Sequence, residues 1–133
     1  MAEAISLTSG AKNAVAETYM STGAWPTISA TNTTGNMAAG LPAANTITGN
    51  WVSSVSVTSA TGAIVVTFPA ANVAATATTP AITAIPELNG AGGASTLVLT
   101  PAAAAGGGSI TWTCSATGTL AASPQYLPAG CGR

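Results

Sequence analysis

The chain has 133 residues, a formal net charge of −1 and 4% charged residues, and it contains neither histidine nor aspartate. Lys12 and Arg133 are its only side-chain cations, too few to neutralise several phosphates, so strong autonomous binding of nucleic acid is excluded. A Ser or Thr nucleophile would lack its usual base. We expect one domain over residues 1–133, with no catalytic residue, cofactor or metal site, and no enzymatic activity.

The first predicted element is an amphipathic helix over residues 3–22, within a segment 1–22. At the helical period, one side carries Ala4, Leu7, Ala11, Ala14, Val15, Thr18 and Tyr19, and the other Glu3, Ser6, Ser9, Asn13, Glu17 and Ser21. Gly23 and Pro26 are the stop signals. We expect the face with Leu7, Ala11 and Val15 to pack on a sheet.

The segment 23–50 is rich in Thr, Asn, Gly and Ala and keeps neither the helical nor the strand period. This pattern predicts a long surface connection, of a kind that is usually functional or packed by partners. The scarcity of charge also suits a subunit that packs against copies of itself. We therefore expect apolar Ala and Thr surface here and near the C-terminus.

From residue 51 the hydrophobic period changes to two. Strands are predicted at residues 52–59, 63–68, 96–100 and 109–114, with a hairpin turn at Thr61-Gly62 and an irregular insertion at 70–94. The inward residues of the last strand are expected to be Ile110, Trp112 and Cys114. The predicted fold class is α+β, with the N-terminal helix packed on a four-stranded antiparallel sheet over residues 51–113.

The two cysteines, Cys114 and Cys131, lie 17 positions apart. This spacing excludes a Cys-x-x-Cys redox pair, and a zinc site would lack ligands. We predict a disulfide that bounds residues 114–133 and stabilises a thin-cored domain by about 3 kcal/mol. It indicates a periplasmic or extracellular compartment. The alternative, two buried free thiols in a cytosolic protein, fits poorly with so few charges.

Several stretches of the chain resemble type IVa pilins, in the family's order and over nearly its whole length. Residues 3–17 (EAISLTSGAKNAVAE) resemble the exposed half of the long pilin helix. The sheet segments that resemble theirs are 52–57 (VSSVSV), 64–68 (IVVTF) and 97–101 (LVLTP). The most specific similarity is to the last strand and disulfide-bounded end, in 108–114 (GSITWTC) and 126–131 (YLPAGC).

This resemblance implies a structural subunit of a bacterial type IV pilus, an extracellular fibre that supports adhesion, twitching motility and, in some bacteria, DNA uptake. It implies other pilin subunits, the pilus assembly machinery and a surface receptor as partners. Cys114 and Cys131 would then clamp the C-terminal segment to the last strand, with Trp112, Leu127 and Pro128 as structural anchors at the sheet edge.

One departure from the family concerns the N-terminus. Pilins carry an apolar half-helix that begins with a methylated phenylalanine and anchors the subunit in the inner membrane. Met1-Ala2 stands in its place here. The resemblance therefore implies an N-terminally truncated, soluble headpiece, with membrane contact only through the missing half-helix.

Two other functions remain open at this point. A type II secretion pseudopilin shares the helix-on-sheet plan, and Glu87 could belong to a calcium site of that class, although calcium normally needs several carboxylates. A minor or tip pilin would act as an adhesin, to which Trp25, Trp51 and Trp112 could contribute. We expect these tryptophans to serve core or interface packing instead.

Overall fold

The computed structural model describes residues 1–88, 93–129 and 131. A long helix, α1 (Ala2–Thr22), packs on a four-stranded antiparallel sheet, and a short helix, α2 (Gly35–Ala38), lies in the connection between them. The strands are β1 (Ser54–Val57), β2 (Ile64–Phe68), β3 (Ser95–Ala103) and β4 (Ile110–Thr117), in the order β1-β2-β3-β4. Short 3-10 turns occupy Ala44–Thr46, Pro86–Leu88, Gly118–Ala122 and Pro124–Tyr126. This architecture confirms the predicted α+β fold.

Helix α1 buries a narrow stripe of small side chains. Ala4, Thr8, Ala11 and Val15 are buried and follow one another at spacings of three and four residues. The helix ends at Gly23, whose φ of 76° lets its N–H bond to the Tyr19 carbonyl oxygen at 2.8 Å. Within the described residues, no helix is both long and apolar enough to cross a membrane.

Thr8 was not expected on the buried side of the helix. Its hydroxyl donates to the Ile5 carbonyl oxygen at 2.8 Å, so the polar atom is satisfied within the helix and the methyl group can be buried. Leu7, in contrast, is half-buried at the margin of the stripe. The helix thus approaches the sheet through Ala, Thr and Val rather than through its largest aliphatic side chain.

The core lies between α1 and the inner face of the sheet. Its fully buried residues include Val55, Ile64, Val66, Phe68 and Leu97, which follow the alternation of the strands, and Val52, just before β1. The β1–β2 connection, residues 58–63, contains the predicted Thr61-Gly62. Gly62 has a φ of 67° and lies against Val15 and Trp25. A side chain at Gly62 would crowd the helix, so glycine is required there for space as well as conformation.

The last two strands are longer than predicted. The prediction ended the third strand at Thr100, yet β3 continues through Pro101 to Ala103. Pairing between β3 and β2 stops at Leu99, so Pro101 pairs only with β4. On the β2 side of Pro101 no strand of the described chain needs the N–H that proline lacks. β4 runs on to Thr117 and pairs with β3 over its whole length.

The connection 23–50 is not simply a surface loop, so that prediction is wrong for its middle part. Asn36 is only 2% exposed. Its amide nitrogen donates to the carbonyl oxygens of Val55 and Pro42, both at 3.0 Å, and its amide oxygen accepts from the Val57 N–H at 2.6 Å. The connection is therefore docked on the outer edge of β1 through a buried polar contact.

The described residues of the insertion between β2 and β3 are largely irregular. Val73 and Ile82 form an antiparallel bridge with two backbone hydrogen bonds of 2.8 and 2.9 Å. Ile82, Ala84 and Leu88 return to the interior. Residues 89–92 of this insertion lie outside the described part of the chain.

Candidate assembly surfaces and the disulfide-bounded segment

The disulfide joins β4 to the C-terminal segment. Cys114 and Cys131 are bonded with a Cα–Cα distance of 4.5 Å, and Cys131 is 5% exposed. The two residues also form a parallel backbone bridge, and the Cys131 N–H donates to the Pro128 carbonyl oxygen at 3.0 Å. The predicted covalent bond is confirmed, and it places Cys131 at the free edge of β4.

Residues 118–129 cover the end of the sheet before the chain reaches Cys131. Leu120 is fully buried, and its N–H donates to the Ser95 hydroxyl at 3.2 Å. The same hydroxyl donates to the Leu88 carbonyl oxygen at 3.1 Å. Sequence reasoning missed Leu120, although it is the one bulky aliphatic residue between Cys114 and Leu127, which was the available signal.

The predicted anchor residues lie in this region. Trp112 and Leu127 are half-buried and pack against the core, and Pro128 is half-buried next to Leu127. Ala11 and Val15, from the expected helix face, are buried on the opposite side of the core. Gly130, Gly132 and Arg133 lie outside the described residues.

A groove runs between the C-terminal half of α1 and the β3–β4 hairpin. Its volume is about 630 Å³, and we call it the Lys12 groove, lined by Lys12, Asn13, Ala16, Tyr19, Met20, Gly23, Ala103, Gly107, Gly108, Ser109, Ile110 and Trp112. The Lys12 Nζ lies 5.6 Å from the centre of the Trp112 ring, a cation–π distance. Met20 is 73% exposed at its margin. The groove therefore combines a cation with aromatic and apolar surface.

The other flank of α1 carries a shallower groove of about 360 Å³. We call it the Glu17 groove, lined by Ala14, Glu17, Thr18, Ser21, Ala38, Ala39 and Gly40. Glu17 is exposed and, among the described residues, makes no hydrogen bond or ion pair within the chain. Met37, next to Ala38 in α2, is 45% exposed, and Ile28, elsewhere in the connection 23–50, is 50% exposed. The connection thus exposes two large apolar side chains.

The position of Glu3 differs from the prediction. It was expected on the solvent side of α1, but it is half-buried, and its carboxylate oxygens accept hydrogen bonds from the N–H groups of Asn50 at 3.0 Å and Trp51 at 2.9 Å. A side chain at Gly49 would collide with this carboxylate. Glu3 therefore ties the start of α1 to the chain that enters β1.

The outer face of the sheet is lined by hydroxyl groups. Thr96 and Thr117 face each other across β3 and β4 with their hydroxyl oxygens 2.6 Å apart, and Thr100 pairs with Thr113 in the same two strands. Strands β1 to β4 contain no charged residue. This face can interact through hydroxyl and methyl groups but not through ion pairs.

The other candidate ligand residues are separated in the fold. Trp25 stacks on Tyr19 with ring centres 4.1 Å apart, Trp112 lies under Lys12, and Trp51 borders a pocket with Glu87 at the start of α1. The three tryptophans thus have different neighbours. Among the described residues, no group of three or more His, Cys, Asp or Glu side chains could hold a metal ion.

Comparison with known proteins agrees with this geometry. A family model described as pilin, bacterial filament, matches residues 1–132. A search of curated proteins gives no significant match.

Proposed function

The chain belongs to the pilin family of bacterial filament proteins, and on this premise we propose that it is the repeating subunit of a type IVa pilus. Membership of the family makes it a structural subunit that assembles with other pilin subunits into a surface filament. The observation that carries the subtype is the Cys114–Cys131 disulfide, which joins the last strand to the C-terminal segment. The similarity of residues 108–114 and 126–131 to the type IVa signature supports the same proposal.

The surface supports a role as a polymer building block. The sheet exposes hydroxyl and methyl groups. Met20 is exposed on α1, and Met37 and Ile28 are exposed in the connection 23–50. Scattered apolar residues are ordinary on a monomer, but a charge-poor surface with exposed methionines suits a subunit whose flanks become covered by its neighbours.

The proposal is tested by immunogold labelling of the native bacterium with antibodies against residues 1–133. The repeating subunit gives gold along the whole fibre, and deletion of its gene removes the fibres. Gold confined to the fibre tip would instead identify a minor pilin or adhesin. Gold restricted to the cell envelope, without surface fibres, would favour a secretion pseudopilin.

We further propose that the filament supports surface attachment, twitching motility and DNA uptake, with the assembly machinery and a surface receptor as partners. Family membership and the expected extracellular position of the fibre support these roles. The deletion strain is expected to lose adherence, twitching zones on agar and natural transformation, and the intact gene is expected to restore all three. An activity that survives deletion does not depend on this subunit.

A further inference from the structure

The two flanks of α1 carry opposite charges. Within residues 1–88, 93–129 and 131, Lys12 provides the one Lys or Arg side chain, and it lies in the groove beside the β3–β4 hairpin. Glu17 lies in the groove beside α2. Five positions along a helix correspond to about 7.5 Å of rise and about 140° of rotation, so the two charges cannot pair within one chain.

The other carboxylates of the described residues are less suited to pair with Lys12. Both oxygens of Glu3 accept backbone hydrogen bonds from Asn50 and Trp51. Glu87 lies in the 3-10 turn Pro86–Leu88, beside Met1 and Trp51 at the opposite end of α1 from Met20. Glu17 is exposed and lies on α1 itself, about 1.4 turns from Lys12. It is therefore the best complement to Lys12 on a second copy.

We propose that the Lys12 groove of one subunit receives the Glu17 flank of the next subunit, with Lys12 and Glu17 forming an ion pair between copies. This inference rests on the proposed function, because it names the contact by which neighbouring subunits meet. The contact joins two different patches of the same chain, so it leaves an unused patch on each side of a pair. Such a heterologous contact propagates into an open filament, whereas a self-complementary one stops at a dimer.

The lining of the two grooves supports the same pairing. The Trp112 ring holds the Lys12 amine at the groove surface, and the exposed Met20 offers a flexible apolar contact at its margin. The Glu17 groove is bordered by Ala38, Ala39 and Gly40, whose small side chains permit close approach. For parallel helices, pairing Lys12 with Glu17 sets an axial stagger of about 7.5 Å between neighbours.

The test uses the full-length pilin in its native bacterium, with the single variants Lys12→Glu and Glu17→Lys and the double charge swap. Each single variant juxtaposes like charges and is expected to lower the amount of sheared pili by about fivefold, the upper range for one exposed pair. The double variant restores the opposite charges and is expected to return the yield to within about twofold of wild type. Combining Lys12→Glu with Glu87→Lys serves as the matched control and is not expected to restore it.

Cross-linking tests the same contact by a second measurement, which applies also if the charge variants accumulate poorly. Lys12→Cys and Glu17→Cys subunits are co-expressed, and the pili are oxidised. A Lys12–Glu17 contact gives disulfide-linked dimers in mixed pili and none in pili made from either variant alone. Mass spectrometry of the dimers checks that Cys114 and Cys131 remain bonded to each other.

The proposal is overturned if wild-type pili contain the chain while the single charge variants assemble normally, if the double swap fails to restore assembly, or if mixed pili give no cross-link. In those cases the chain is still a filament subunit, and only the contact is wrong. If wild-type cells make no fibre containing the chain, the proposed function fails and the contact fails with it.

Discussion

The two edges of the sheet are closed in chemically different ways. At the β1 edge, the Asn36 carboxamide bonds to the Val55 carbonyl oxygen and the Val57 N–H, in the place of a neighbouring strand. At the β4 edge, Cys131 forms a parallel bridge with Cys114 and is bonded to it covalently. Unpaired edge strands invite association with other chains, and this charge-poor protein has no lysine in its strands to prevent it.

The two edge contacts act on different states of the chain, one on the folded state and the other largely on the unfolded state. The Asn36 contact exists only in the folded protein, so its free energy depends on the docking of the whole connection 23–50. The disulfide persists in the unfolded chain and acts largely by restricting its conformations. One edge is therefore held by native-state packing and the other largely by a limit on the unfolded state, and the two should respond differently to mutation.

The largest effect is expected for Asn36→Ala. The substitution removes three hydrogen bonds and leaves the buried Val57 N–H without its partner, which should lower the free energy of unfolding by about 4 kcal/mol. Chemical denaturation of the oxidised domain measures the change, and the denaturant slope m should stay constant because the unfolded chain is unaltered. The matched control is Asn45→Ala in the same connection, where the exposed side chain should contribute less than about 0.5 kcal/mol. Equal effects of the two variants would show that Asn36 does not hold the β1 edge.

Removing the disulfide by Cys114→Ser with Cys131→Ser should lower the free energy of unfolding by about 3 kcal/mol. In contrast to Asn36→Ala, it should raise the slope m, because the unfolded chain becomes less compact. Reduced wild-type protein is the control and should match the double variant in both quantities. If the free energy of unfolding falls by the full amount while m stays unchanged, the disulfide acts in the folded state. The two edges would then not differ in the way described above.

Gly35→Ala should cost about 2 kcal/mol. A Cβ at this position would collide with the Val57 carbonyl group, so α2 has to move away from β1 and strain the Asn36 hydrogen bonds. The matched control is Gly10→Ala, an exposed position in α1 with open space around it. Alanine there should stabilise the domain by about 0.5–1 kcal/mol. Denaturation curves should therefore shift in opposite directions for the two Gly→Ala variants.

The two edges also differ in how far the sequence predicts them. The β4 edge follows from local signals: the alternation of Ile110, Trp112 and Cys114, and one possible partner for that cysteine. The β1 edge depends on Asn36, which lies in a segment without hydrophobic period and has a polar side chain that is usually exposed. Its burial is decided by the carbonyl and N–H groups of a strand about twenty residues away, and no local pattern encodes that contact.

The same reason explains the smaller discrepancies in α1. Glu3 was placed on the solvent side and Thr8 was not assigned to the buried face. The Glu3 carboxylate nevertheless bonds to a distant backbone, and the Thr8 hydroxyl bonds within its own helix. Both polar groups are satisfied by backbone atoms, which periodicity does not report. The sequence shows Lys12 and Glu17 as opposite charges on one helix. It does not show their grooves, because these form only when the fold brings the β3–β4 hairpin and α2 against the two flanks of α1.

The smallest effect is expected for Glu3→Gln, which alters a second contact on the β1 side, between Glu3 and the chain that enters the strand. Glu3→Gln keeps the size of the side chain but replaces one acceptor oxygen with an NH₂ group, which cannot accept from the N–H of Asn50 or Trp51. One hydrogen bond is lost in a half-buried site, so the free energy of unfolding should fall by about 1 kcal/mol. Glu17→Gln removes the same charge from an exposed position that has no partner among the described residues, and it should leave the monomer within about 0.5 kcal/mol of wild type. Amide hydrogen exchange should locate the difference, with faster exchange at Asn50 and Trp51 in Glu3→Gln alone. Unchanged exchange there would mean that the β1 side depends on Asn36 without help from Glu3.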